Sequence, residues 1–107
     1  MANLSTNEPG ILLLTGEIDL HESPQVKEKL LPLLAAKLPR VVVYLSGVTY
    51  IDSSGLALFI EAMQRVQAYG GTFRLCSLRP SVRTIFDIAR LDQVFTIYPD
   101  RDSALAD

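Results

Sequence analysis

The chain alternates between short runs of consecutive apolar residues and longer stretches in which apolar residues recur every three or four positions. ILLLTGEID (11–19) is of the first kind and reads as a strand whose apolar part ends at Gly16. Asn7-Glu8-Pro9-Gly10 just before it is a turn signal, and residues 2–6 are expected to form a short antiparallel edge strand. HESPQVKEKLLPLLAAKLP (21–39) is of the second kind, with Val26, Leu30, Leu33 and Leu34 at helical spacing. Ser23 fits its N-cap and Pro24 its first helical position. Pro32 removes a backbone bond to residue 28 and predicts a kinked or shortened helix, and Pro39 ends it.

RVVVYLSGV (40–48) shows no alternation, which fits a strand buried on both faces. LALFIEAMQRVQAY (56–69) is again amphipathic, with Leu56, Phe59, Ile60, Met63 and Val66 on one stripe and Gly70-Gly71 as terminator. TFRLCSL (72–78) is the next strand. PSVRTIFDIARL (80–91) is a helix with Val82, Ile85, Phe86 and Ala89 on one face. VFTIY (94–98) is a last short strand, and RDSALAD (101–107) a last helical turn. The order β-β-α-β-α-β-α-β-α, with short connections, predicts a single α/β domain over residues 1–107, built on a mainly parallel sheet with right-handed crossovers.

Composition narrows the function classes. With 107 residues and 49% hydrophobic content the chain can bury a core without disulfides or metal. A net charge of −2 argues against nucleic acid as a partner, because phosphate binding needs a basic face. Cys76 is the only cysteine and lies in a predicted buried strand, where a small core side chain is expected rather than a reactive thiol. MANLSTNEPG lacks the basic and apolar regions of a signal peptide, and no segment has 18 consecutive apolar residues. No membrane span and a cytoplasmic location are expected.

The candidate chemistry lies in IDSSG (51–55), between a strand and a helix. A serine nucleophile would need G-x-S-x-G spacing and a base, but the glycine pattern is absent. His21 is the only histidine and reads as a surface residue. No phosphate-binding loop is present, and one histidine with one cysteine leaves no zinc set, so no cofactor or metal is expected. As a cap, DSSG satisfies orphan amides of the following helix. As a modification site, a serine at a helix N-terminus sits where an added phosphate is electrostatically favoured, and a partner docked there would meet about −1.5 to −2 new charges. On the same helix Leu58, Ala62 and Tyr69 line a second face near Arg65, which either packs on a neighbouring helix or forms a docking surface next to Ser53.

Strand–DSSG–helix, then GGTFRLCSL, then RPSVRTIFDIARLDQVF, with GEIDLH (16–21) upstream, together resemble a STAS domain, and more narrowly a bacterial anti-sigma-factor antagonist. The likeness runs from about Gly10 to the C-terminus. It implies a mixed, mainly parallel sheet of four to five strands with about four helices, most of them on one side. It also implies partner switching. The unphosphorylated antagonist binds an anti-sigma factor that is itself a serine kinase, phosphorylation releases it, and a metal-dependent serine phosphatase resets it. Carried over, the acceptor is Ser53. Asp52, Ser54 and Gly55 shape the switch loop, and Asp19 has a supporting contact. Leu58, Ala62 and Arg65 complete the expected partner surface, and the free chain is expected to be a monomer. The other readings are a STAS subunit of a larger signalling or transport complex without reversible phosphorylation and, third, a serine hydrolase.

Overall fold

The computed structural model describes residues 9–106. Four strands and four helices alternate along the chain. They are β1 (Gly10–Ile18), α1 (Ser23–Ala35), β2 (Arg40–Ile51), α2 (Ser53–Ala68), β3 (Thr72–Cys76), α3 (Pro80–Ile88), β4 (Thr96–Tyr98) and α4 (Arg101–Leu105). A 3-10 turn, Leu91–Gln93, precedes β4. The described strands form one sheet in the order β1-β2-β3-β4, every pair parallel. The edge strand expected at residues 2–6 lies outside the described residues.

Sequential order explains where the helices sit. When each strand is followed by its neighbour through a right-handed crossover, successive helices fall on the same side of the sheet. α1, α2 and α3 accordingly bury one face. Their Leu30, Leu34, Phe59, Met63, Val66, Val82 and Phe86 pack with Leu14, Val41, Val43, Leu45, Phe73 and Leu75 of the strands. Phe59, Phe73, Phe95 and Phe86 form a chain of tilted and edge-on ring contacts at 5.7–6.2 Å through this core, the offset geometries that aromatic quadrupoles favour. On the opposite face Val42 and Cys76 are covered by Ala104 of α4. Val41, Val42 and Val43 are all fully buried, so the unalternating run is buried on both faces, as its sequence predicts. α4 leaves Ile11 and Leu13 of β1 44% and 54% exposed.

Two local expectations shift. α1 begins one residue earlier than the Ser23 cap predicts, with Glu22 at the N-cap. It is not shortened by Pro32, which lies on the exposed side within the last turn. Leu30 and Leu34 on either side of that proline are anchored in the core, which holds the segment helical despite the lost bond. β1 also continues past Gly16, whose positive φ of 81° accompanies a register shift between Gly16 and Glu17. Glycine adopts that conformation without a Cβ penalty, so the strand bends there rather than ending.

Candidate functional site

In an all-parallel sheet every strand ends on the same rim, and so does every following helix N-terminus. The β1–α1 loop and the β2–α2 junction are neighbours on that rim, and Asp52 joins them. Its backbone is extended, and its Oδ1 accepts from the Ser54 and Gly55 backbone N–H groups at 2.9 and 3.2 Å. Oδ1 also accepts from the Ser54 hydroxyl at 2.6 Å. Oδ2 accepts from the backbone N–H of Leu20, 32 residues away in sequence, at 3.1 Å. The Asp52 backbone N–H donates to the Ile18 carbonyl at 3.1 Å. The Ser54 hydroxyl and these amides hold the Asp52 carboxyl below the ordinary value of 3.8, against a smaller opposing effect of burial.

Gly55 is buried where α2 crosses the strand ends. A Cβ on it would lie 2.7 Å from Ile51 Cγ1, 2.8 Å from Ile18 Cγ2 and 2.9 Å from the Ile18 carbonyl oxygen. The glycine therefore lets the first turn of α2 sit directly on β1 and β2. Asp19 shapes the other half of the site. Its Oδ1 accepts from the Glu22 N–H at 2.9 Å, and its carbonyl accepts from Glu22 and Ser23 at 3.1 and 2.8 Å, which turns the chain into α1.

The two serines differ sharply. Ser54 has its hydroxyl committed to Asp52. Ser53 is exposed in the first turn of α2, and its hydroxyl has no hydrogen-bond partner among the described residues. Among the described residues no base is in contact with Ser53 for attack on a substrate, and exposed His21 makes no side-chain hydrogen bond. The described residues hold no group of three or more His, Cys, Asp or Glu side chains placed to bind a metal ion.

The structure brings Asp19, Asp52, Ser53, Ser54 and Gly55 together, but not the second face expected of α2. Leu58 and Ala62 are 8% and 2% exposed and belong to the core, against Leu30 and Leu34 of α1. They are not a docking surface in this structure, because α1 already covers them. Arg65 lies further along the helix, 3.9 Å from Glu61, which also faces Lys27 of α1 at 3.8 Å. Tyr69 donates its hydroxyl to the Leu38 carbonyl at 2.7 Å and so ties the end of α2 to the α1–β2 connection. Leu20, which sequence reading passed over, is 75% exposed beside Asp52. Its one signal in the sequence is a leucine standing alone among polar residues in DLHES.

With this geometry in view, residues 3–104 match the STAS domain family, and the chain belongs to that family, on its anti-sigma factor antagonist branch. It is 34% identical over 84 residues to the anti-sigma-B factor antagonist of Bacillus subtilis, covering 78% of this chain and 76% of that protein. The crystal structure of an anti-sigma factor antagonist from Mycobacterium paratuberculosis superposes with a TM-score of 0.83 at 27% identity, covering 91% of this chain and 82% of that one. The phosphorylated form of the Bacillus cell fate determinant SpoIIAA shares the fold, with a TM-score of 0.70 at 22% identity over 96% of this chain and 93% of that one.

Proposed function

We propose that this chain is an anti-sigma factor antagonist that works by partner switching, with Ser53 as its phosphoacceptor. In its unmodified form it binds an anti-sigma factor that is also a serine kinase. Phosphorylation of Ser53 releases it, and a metal-dependent serine phosphatase restores it. The observation that carries this reading is the contrast between the two serines: Ser54 is spent on the cap, while Ser53 is exposed and unengaged. A kinase supplies its own base and metal ions, so the acceptor needs only an accessible hydroxyl on a rigid support. Asp52 and Gly55 provide that support by fixing the first turn of α2 on the strand ends.

The same geometry accounts for release. A phosphate on Ser53 adds about −1.5 to −2 charges at a helix N-terminus, where exposed backbone amides and the helix dipole suit an anion. The chain can therefore carry it without unfolding. A partner pressed on Ser53 would have to desolvate those charges beside Asp52, which disfavours the complex. The chain acts as substrate and ligand rather than as catalyst.

The test is phosphorylation of the purified chain by the anti-sigma factor kinases of the source organism with ATP, read by intact mass. One phosphoryl group is expected on the wild type and on Ser54→Ala, and none on Ser53→Ala. Full phosphorylation of Ser53→Ala would sink the assignment.

A further inference from the structure

The rim that carries Ser53 also carries two large apolar side chains that no element among the described residues covers. Leu20 is 75% exposed, and its backbone N–H is fastened to Asp52 Oδ2. Tyr50 is 45% exposed on β2, two residues before Asp52. Strand alternation turns it away from buried Ile51 and onto the outer side of the strand end. Neither residue contributes to the core. An exposed leucine on a loop clamped by a long-range hydrogen bond has lost backbone freedom without gaining burial. In a protein interface, such a residue needs little further ordering when it binds.

The charge around this pair specifies what would cover it. Glu17 pairs with Tyr50 in the β1–β2 register, Asp19 and Glu22 frame the loop around Leu20, and Asp52 lies between the two strands' ends. None of these four carboxylates enters an ion pair among the described residues. The rim is thus apolar at two points and negative around them, and its complement is a protein surface with an apolar recess set among basic side chains.

We propose that Leu20 and Tyr50 are the apolar anchors by which the kinase-type anti-sigma factor holds this chain, on the rim that also carries Ser53, with the acidic residues there selecting a basic partner face. This rests on the reading of Ser53 above and extends it from an acceptor atom to a recognition surface. It also sharpens the switch, since a phosphate on the same rim would add charge to an interface whose exclusion of water gives the anchors their effect.

The experiment uses the full chain and whichever anti-sigma factor kinase of the source organism phosphorylates the wild type. Dissociation constants without ATP, and kcat and KM for phosphoryl transfer, are measured for Leu20→Ala, Tyr50→Ala and Glu17→Lys. Each anchor variant is expected to weaken binding by about 30-fold, the scale of an interface hot spot, and to raise KM with kcat at saturation unchanged. Both side chains are exposed, so the thermal midpoint is expected to hold, and circular dichroism checks this. Glu17→Lys is expected to slow association and to flatten its dependence on salt. Unchanged affinity in both anchor variants, with Ser53 still phosphorylated, overturns the anchor assignment and leaves the acceptor standing. A loss of self-association in sedimentation, with kinase affinity unchanged, reassigns the patch to a second copy of this chain and also overturns it. Absence of phosphoryl transfer to the wild type from every such kinase overturns both readings.

Discussion

Asp52 divides one carboxylate between two elements, capping α2 through Oδ1 and holding the β1–α1 loop through Oδ2. The cap was legible in the sequence, because Asp before a helical pattern satisfies first-turn amides whatever the rest of the chain does. The loop contact was not, since its partner is a backbone amide 32 residues away. The donors that hold Asp52 below its ordinary value of 3.8 make stability depend on pH in a defined sense. A depressed folded-state pKa contributes stability that is present above 3.8 and is lost as pH falls through the lower folded value. Asp52→Asn keeps an oxygen acceptor for the cap but does not titrate. Its urea midpoint is therefore expected to fall less steeply than that of the wild type as pH is lowered below 3.8. Identical acid profiles would show that the Asp52 charge does not contribute. Asp100, held low by Ser103 in the same way, keeps its acid dependence in both proteins.

At the scale of elements, α2 is where sequence reading and structure diverge. Period alone marks a wide apolar surface on this helix but does not name the neighbour that covers it. Leu58 and Ala62 face α1, so the two helices pack side by side on the sheet and the wide stripe is core on both of its flanks. The helix itself, its cap and its glycine terminator are local properties and were readable. Leu58→Ala separates the two accounts. A buried leucine replaced by alanine loses about 2–5 kcal/mol of stability through lost burial and the cavity left behind. A docking leucine would lower affinity at constant stability. Chemical denaturation is expected to show the large loss, and a midpoint within experimental error of the wild type would return Leu58 to the surface.

Across the whole molecule, one sheet has two unequally covered faces. Three helices bury the first, while the second depends on the five residues of α4. α4 is strapped down by the Arg40 guanidinium on the Leu105 carbonyl at 2.8 Å, and by Arg74 on the carbonyls of Ala104 and Ala106 at 2.8 and 2.9 Å. Beneath it Cys76 is fully buried, and burial, as the largest influence, pushes its thiol up. In the intact protein Cys76 is expected to resist thiol reagents until global unfolding. Removal of residues 101–107 uncovers Val42 and Cys76, and labelling of the folded, truncated protein is expected to become rapid. Equally slow labelling would mean that α4 is not what protects the thiol.

The alternating order of elements, the doubly buried β2 and the DSSG cap were set by the sequence itself, because each follows from periodicity or from bonds within a few residues. The sequence also singled out Ser53 and Ser54 but could not say which hydroxyl was free. The folded structure shows that Ser54 serves Asp52, that α1 covers Leu58 and Ala62, and that Leu20 stands beside Asp52. Much of this depends on contacts between segments far apart in the chain. The choice between the serines is the local exception, since the Ser54 hydroxyl bonds to Asp52 only two residues before it. Sequence pattern fixes which residues seek burial or a partner, but only the packed sheet determines which of them find one.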